Sequence, residues 1–417
     1  MKIKKIILQT CRECGQEVRV PLVPSGDATC PTCNNTLRKS NSWNLNRCTF
    51  LALAILILLP FALKFPLLSI DLLGVKINAT VWDGIWKMAT EGYPYTAFMV
   101  LVCAVIMPLS FVLLILTIRL QRLIRQRPRY TLIFLTKIKE WVMLDVYLVA
   151  LAVAAFKIRD YADLSFGIHL IAFVIVAILN TLLFIKVEPK QTWENFYPEY
   201  HSLPFDHPSK PTLCPTCEYC FDERILDLKG RERCPRCESN LSISDNVKLQ
   251  RVWACLIAGT IMIIPANIFP ISTTELAGNV SADSLISGVI LFVEMGSYTV
   301  AAIVFIASIA VPVSKISIIL YLLLAIHYKW QHPIHRQMKL LHYVHFVGRW
   351  SMLDLFVLSL MMSLLERGQI LSFSVGEAAF YFGASVFLTM FASANLDARM
   401  LWRIHYDHQA KNKVNTA

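Results

Sequence analysis

Runs of about twenty apolar residues, separated by polar and often basic stretches, constrain this chain more than any other feature. A helix needs roughly 20 apolar residues to cross the ~30 Å hydrocarbon core of a bilayer. Eight segments approach that length: Cys48–Leu63, Tyr95–Leu116, Trp141–Phe156, Phe166–Ile185, Val252–Pro270, Tyr298–Ile326, Trp350–Leu365 and Val375–Ser393. The third and seventh are short unless their helices run back into the basic loops before them. Composition agrees, since 56% of the 417 residues are hydrophobic and only 17% are charged, against roughly 25% charged in soluble domains. The expected fold class is an all-α polytopic membrane protein.

Charge then sets the orientation. All but seven of the 40 Lys and Arg residues lie in five segments: the N-terminal tail, the Arg119–Lys139 loop, the central 186–251 region, the Lys329–Arg349 loop and the C-terminal tail. The exceptions are Lys64, Lys76, Lys87, Lys157, Arg159 and Arg367 in the intervening loops, and Lys315 inside a span. Lys and Arg accumulate on the cytoplasmic side, so both termini and the central linker are expected there. The formal charge of +11 therefore reads as a topology signal, and no nucleic-acid partner is expected. The first 45 residues are polar and carry cysteines, unlike a cleavable signal with its early apolar run.

The chain repeats itself. Arg47 to Gly74 and Arg251 to Gly278 share an apolar run, a proline and a Phe-Pro pair (Phe65-Pro66 and Phe269-Pro270) before a turn glycine. Pro108 matches Pro312 in the second span of each half. Trp141-Val-Met-Leu-Asp145 matches Trp350-Ser-Met-Leu-Asp354 at the third, and Gly167 and Gly376 open the fourth. Four spans per unit make these parallel repeats, unlike the inverted repeats of many secondary transporters. After each first span, partial alternation predicts a short hairpin, Leu68 to Val81, followed by an amphipathic turn, Trp82 to Met88. Ile271 to Met295 repeats the arrangement. The expected division is a ribbon at 1–43, a four-helix module at 44–190, a second ribbon at 191–247, a second four-helix module at 248–403 and a tail at 404–417.

Eight of the twelve cysteines form four C-x-x-C pairs. Cys11 and Cys14 precede Cys30 and Cys33; Cys214 and Cys217 precede Cys234 and Cys237. This is a zinc-site spacing, in which each C-x-x-C turn supplies two thiolates to a tetrahedral ion at about 2.3 Å. Two structural four-cysteine Zn2+ sites are expected, with no open coordination position. Iron in the same ligand set and a redox dithiol are the competing readings. Disulfides do not fit a reducing cytoplasm. Cys220 forms another C-x-x-C with Cys217 and leaves the first ligand pair of the second ribbon open, although the parallel with the first ribbon favours Cys214. Cys48, Cys103 and Cys255 read as small core residues.

Lys315 is the sharpest functional signal. It lies ~16 Å from the cytoplasmic end of its span at 1.5 Å per residue, where a charge costs on the order of 2.5–3.5 kcal/mol and faces a polar interior. Asp354 is its expected partner, with Ser308, Ser351 and Thr389 completing a polar network and Ser314 and Ser317 as secondary members. Snorkelling of Lys315 to the surface is the alternative. Aligning the halves sets Phe111, Ala104, Val142 and Asn180 opposite Lys315, Ser308, Ser351 and Thr389. Only the aspartate recurs, as Asp145, which could pair with Lys137 or Lys139. The second half is thus expected to carry the mechanism. No Walker loop or other catalytic set is visible, so no enzyme activity is expected. His327, His332, His335, His342 and His345 read as a solvated face.

The tandem order, the two cysteine ribbons and the doubled Trp-x-Met-Leu-Asp resemble the paraquat-inducible protein A family of bacterial inner-membrane proteins, over nearly the whole chain from Cys11 to about Trp402. The resemblance implies tetraspanin-like four-helix modules in the inner membrane and an MCE-domain partner that forms a tunnel across the periplasm. It also implies transport of phospholipid between membranes, with the polar network of Lys315, Asp354, Ser308, Ser351 and Thr389 coupling transport to protons. The additional Cys220 departs from the pattern. The alternatives kept open are a non-transporting scaffold for the MCE partner and a redox- or metal-responsive membrane protein.

Overall fold

The cysteine-bearing N-terminus folds as two short hairpins. β1 (Ile6–Thr10) pairs antiparallel with β2 (Glu17–Pro21), and β3 (Ala28–Thr29) with β4 (Thr36–Arg38). The computed structural model describes residues 6–21, 27–39, 43–72, 75–159, 163–200, 211–222, 233–241, 245–276, 279–294, 296, 298–330, 333–348, 350–365, 371–396 and 398–402. The hairpin-turn glycines Gly74 and Gly278, His332 and the 404–417 tail lie outside the described residues.

The first half starts with α1 (Leu45–Lys64), which carries Pro60 in its interior. β5 (Leu68–Leu72) and β6 (Val75–Ala79) form the expected hairpin, and α2 (Val81–Thr90) is the amphipathic segment. The Thr80 hydroxyl caps α2 by accepting from the Asp83 N–H at 2.9 Å. α3 (Pro94–Leu101) continues through a π-helical turn, Val102–Ile106, into α4 (Met107–Leu123). α5 (Arg129–Ile138) leads into a 3-10 turn, Lys139–Trp141, and then α6 (Leu144–Arg159). β7 (Asp163–Phe166), α7 (His169–Lys186) and α8 (Pro189–Phe196) follow.

The second ribbon contributes β8 (Pro211–Leu213) and β9 (Cys220–Asp222). The second half then restates the order: α9 (Asp245–Ile268), β10 (Ser272–Leu276), β11 (Asn279–Asp283), α10 (Leu285–Glu294) and α11 (Tyr298–Phe305). A π turn, Ile306–Ala310, joins α11 to α12 (Val311–His327). α13 (Ile334–Gly348), a 3-10 turn Trp350–Met352, α14 (Leu353–Leu365), β12 (Leu371–Val375) and α15 (Ala378–Asn395) complete it. Ser284 caps α10 at the position of Thr80, accepting from the Ser287 N–H at 3.2 Å.

The repeat has local physical causes. A proline has no N–H to donate and its ring clashes with the carbonyl four residues back. Both second spans answer Pro108 and Pro312 in the same way, with a π turn ending two residues before the proline. The glycines at the fourth spans are required by close backbone approach. A Cβ on Gly167 would lie 2.6 Å from the Pro66 carbonyl oxygen, and one on Gly376 would lie 2.0 Å from that of Pro270.

Three expectations change. The chain is mainly helical but not purely so. Each predicted hairpin gains a third strand from the loop before the last span, giving sheets β6-β5-β7 and β11-β10-β12. Cross-strand hydroxyl pairs recur at matching registers, Ser69 with Ser165 and Thr273 with Ser374. These strands take Phe166 and Val375, so the fourth spanning helices start later, at His169 and Ala378. Among the described residues, seven helical stretches are long and apolar enough to cross a membrane. The expected third span, apolar over Leu144–Phe156, falls short of that length, because Val142, which is extended, and Met143 leave the helix between the 3-10 turn and α6.

Outward stripes of isoleucine run along the spanning helices, such as Ile257, Ile261, Ile264 and Ile268 on α9. This is the inverse of a soluble helix, whose apolar stripe faces the core. α14 is different. Apart from Asp354, every residue from Leu353 to Ser363 is buried. α14 packs against α2 and α6 of the first half, with Tyr147 and Phe356 ring centroids 5.2 Å apart. The two halves thus share a hydrophobic core across α14. α9 and α15 pack closely where Gly259 leaves room for Thr389, and the Ser385 hydroxyl donates to the Gly259 carbonyl at 2.8 Å.

Candidate metal centres and buried polar cluster

Four C-x-x-C turns fold into four copies of one knuckle. In each, the N–H of the residue after the second cysteine donates to the carbonyl of the first cysteine, as from Gly15 to Cys11 at 3.1 Å and from Glu238 to Cys234 at 2.9 Å. That following residue sits in the left-handed region, with φ of 71° at Gly15, 59° at Asn34, 57° at Glu218 and 58° at Glu238. Glycine and asparagine accept this conformation readily, whereas glutamate is strained there. Each glutamate is engaged in an ion pair: Glu218 with Arg12 at 3.1 Å, and Glu238 with Arg129 at 2.6 Å.

The knuckles converge in pairs. Cys11 with Cys33, and Cys14 with Cys30, have sulfurs 3.5 Å apart. Cys214 with Cys237 and Cys217 with Cys234 lie at 3.5 and 3.8 Å. Four thiolates about 2.3 Å from a tetrahedral ion would be roughly 3.8 Å apart, so both sets fit a metal ion; bonded sulfurs would lie about 2.05 Å apart. Crowding makes the thiols unequal: in each set one gives up its proton readily while neighbours that donate to it, such as Cys14 and Cys217, are pushed up. The hydrogen bond from Cys14 holds the Cys11 thiol down at about 5, and hydrogen bonds from Cys217, Cys234 and Cys237 hold Cys214 lower still. Cys220 stays out of the second set; its sulfur lies 3.2 Å from the Thr10 hydroxyl of the first ribbon. The four-cysteine set able to hold a metal in that ribbon, among the described residues, is Cys214, Cys217, Cys234 and Cys237.

The ribbons brace the helix ends from opposite directions. Glu13 of the first ribbon meets His342 on α13 of the second half at 3.0 Å. Arg236 of the second ribbon, only 2% exposed, lies over the rings of Trp193 and Tyr219 at 5.2 and 5.6 Å, the former on α8 of the first half. Of the histidine set, the described members His327, His335, His342 and His345 are all exposed. His342 reaches Glu13, whereas His335 packs edge-on to Trp402.

The polar network is brought together around the 3-10 turn Trp350–Met352, which packs against the π turn, α12, α13 and α15. Ser308, in the π turn, Lys315, Ser351 and Thr389 are each no more than 3% exposed. Lys315 is 0% exposed, so it does not snorkel to an outer surface. The expected ion pair to Asp354 is not formed among the described residues. Instead the Lys315 ammonium faces Gly348, the last residue of α13, where a Cβ would lie 3.6 Å from Nζ. The carbonyls of a helix C-terminus carry partial negative charge. Among the described residues, the Lys315 ammonium and the Ser308 and Ser351 hydroxyls have no hydrogen-bond partner. Thr389 donates to the Val386 carbonyl at 3.0 Å.

Ser314 and Ser317 donate back to the Val311 and Val313 carbonyls at 2.9 and 2.8 Å, as serines in helices commonly do. In the first half, Lys139 donates to the Val187 carbonyl at 2.8 Å. The matching first-half positions Ala104, Phe111, Val142 and Asn180 are all buried; the same packing sites are mostly apolar in one half and polar in the other. Sequence reasoning missed Ser359 and Ser363 on α14, both at most 1% exposed. Ser363 donates to the Thr80 carbonyl at 3.3 Å, and Gly84 of α2 allows contact with Ser359. Their four-residue spacing on one helix face was the available signal.

A model of the paraquat-inducible protein A family matches the chain twice, at residues 45–197 and 249–406. A probable intermembrane transport protein of Haemophilus influenzae is 53% identical over 403 residues, covering 96% of each chain. The lipophilic envelope-spanning tunnel protein A of Escherichia coli is 41% identical over 97% of this chain and 93% of its own length. The intermembrane transport protein PqiA of Escherichia coli is 28% identical over 94% of both. No solved structure matches.

Proposed function

Because this chain belongs to the paraquat-inducible protein A family, we propose that it is the inner-membrane component of a system that moves phospholipid between two membranes, working with a periplasm-spanning MCE-domain tunnel protein. The multi-pass architecture and the transport names of its relatives support a transport role over an enzymatic one. In this reading the chain is a tandem of two four-helix, tetraspanin-like modules at 44–190 and 248–403, with ribbons at 1–43 and 191–247 and both termini in the cytoplasm. Zinc occupies the two four-cysteine sites and, with no open position, holds the knuckles rather than reacting.

The observation that carries the reading is the buried lysine of the second half. Lys315, Ser308 and Ser351 are buried without a protein hydrogen-bond partner among the described residues, and an ionisable group at spanning depth marks a pathway or proton relay in membrane proteins. Asp354 begins α14, the helix shared by the two halves. A change of proton on Asp354 therefore acts on the helix that both halves grip, and one on Lys315 reaches it through the 3-10 turn that α12 packs against and that leads into α14; either biases one arrangement of the halves against another. Affinity purification from native membranes followed by mass spectrometry tests this. The expected result is bound phospholipid together with an MCE-domain protein, and loss of complementation in Lys315→Ala and Asp354→Asn at normal protein levels. A chain that carries neither lipid nor partner, or full complementation by both variants, overturns it. Retained partner and full activity in both variants would leave only the scaffold role.

A further inference from the structure

A cleft of about 710 Å³ opens between the two ribbons and the ends of the spanning helices, distinct in its residues and chemistry from the polar network. Its lining is unbalanced in charge. Of its three carboxylates, Glu13 meets His342 and Glu218 meets Arg12. Glu188 is the third, and although it and Glu218 both act on Lys139 and Lys190, the lining holds six Lys and Arg side chains against these three carboxylates.

Two of these lysines are built into the wall. Lys139 donates to the Val187 carbonyl at 2.8 Å and Lys190 to the Leu37 carbonyl at 3.2 Å. A neutral carbonyl satisfies a donor but does not cancel a charge, and an ammonium has three N–H groups to offer. Burial pushes Lys139 down to about 8 and Lys190 down as well, outweighing the opposing pull of Glu188 and Glu218 on both. The cleft also has an apolar side. Phe184 and Val187 at the end of α7, and Leu396 at the end of α15, line it where those helices emerge.

We propose that this cleft binds a phosphate-bearing anion, held by Lys39, Lys139, Lys190, Lys248 and Arg399. The apolar wall suits the headgroup of a phospholipid in the adjoining leaflet; a soluble phosphate shares the same chemistry. The site is independent of the transport reading, since it involves neither Lys315 nor Asp354.

The test uses the full-length protein with its metal, reconstituted in phosphatidylcholine nanodiscs. In one arm phosphatidylglycerol is doped in and bound lipid is read by native mass spectrometry. In the other, inorganic phosphate is titrated calorimetrically. The variants are Lys139→Gln/Lys190→Gln and, at residues that make neither wall contact, Lys39→Gln/Lys248→Gln; retained metal content reports folding. Retention of phosphatidylglycerol that falls about ten-fold or more in the variants supports the site and identifies a lipid headgroup. Saturable phosphate binding lost in the same variants supports it with a soluble ligand. Equal binding of both probes by the wild type and the Lys39→Gln/Lys248→Gln variant overturns it, whatever the fate of the wall-lysine variant.

Discussion

Lys315→Met separates a functional lysine from a structural one. Methionine keeps the length and much of the volume of the side chain but removes the charge. Volume-conserving core changes cost less than about 1.5 kcal/mol. Lys315 precedes the end of α12 at His327 by about 18 Å at 1.5 Å per residue, near the middle of a ~30 Å core. A charge at that depth costs roughly 2.5–3.5 kcal/mol, and among the described residues no hydrogen bond to the ammonium offsets it. The expected net effect is a stabilisation of about 1–3 kcal/mol. At about 2–4 °C per kcal/mol for domains of 150–250 residues, the melting temperature in detergent rises by several degrees while lipid transport is lost. A structural ion pair predicts the opposite, because removing one partner of a buried pair costs about 3–5 kcal/mol. A fall in melting temperature refutes the reasoning on stability. A rise with transport intact refutes the assignment of the charge to the mechanism.

Other perturbations have equally definite outcomes. Metal analysis of purified protein should find about two equivalents of zinc per chain, one of them lost in Cys234→Ser and both kept in Cys220→Ser, since Cys220 lies outside the four-thiol set. Gly376→Ala should lower yield and melting temperature more than Gly288→Ala, because its Cβ would lie 2.0 Å from a backbone oxygen whereas Gly288 has nothing within 4 Å. Arg236→Lys should loosen the second ribbon by about 1–2 kcal/mol, since the guanidinium stacks on Trp193 and Tyr219; faster proteolysis of the ribbon is the readout. Phosphatidylglycerol binding in the ribbon cleft should weaken as pH rises through about 8. Lys139 loses its proton there, being lowered by burial and by Lys39 and only partly restored by Glu188 and Glu218. Lys139→Arg, which keeps its charge, should flatten the profile between pH 7 and 9.5.

The sequence alone determined those features whose physics is local. Cysteines at C-x-x-C spacing favour knuckles, and the eight meet in the two sets that their spacing gives, each able to hold a metal ion. Apolar runs of span length become helices, and the paired prolines and glycines mark the π turns and close crossings of both halves. What depended on distant contacts was not legible. The hairpins gave no sign that residues about a hundred positions later would add third strands, because backbone pairing carries little side-chain signature. Lys315 was visible as a buried charge, but that it faces Gly348 instead of joining Asp354 follows from how α12, α13 and the 3-10 turn pack.

The central place of α14 was hidden for a related reason. In a bilayer, lipid and protein interiors are equally apolar, so the composition of a spanning helix does not tell which it will face. Leu353 to Ser363 could have been a lipid-facing wall. Tertiary structure made it the shared core of the two halves and placed the second-half network beside it, while the Arg12–Glu218 ion pair, between residues 206 positions apart, tied the ribbons together at the cleft.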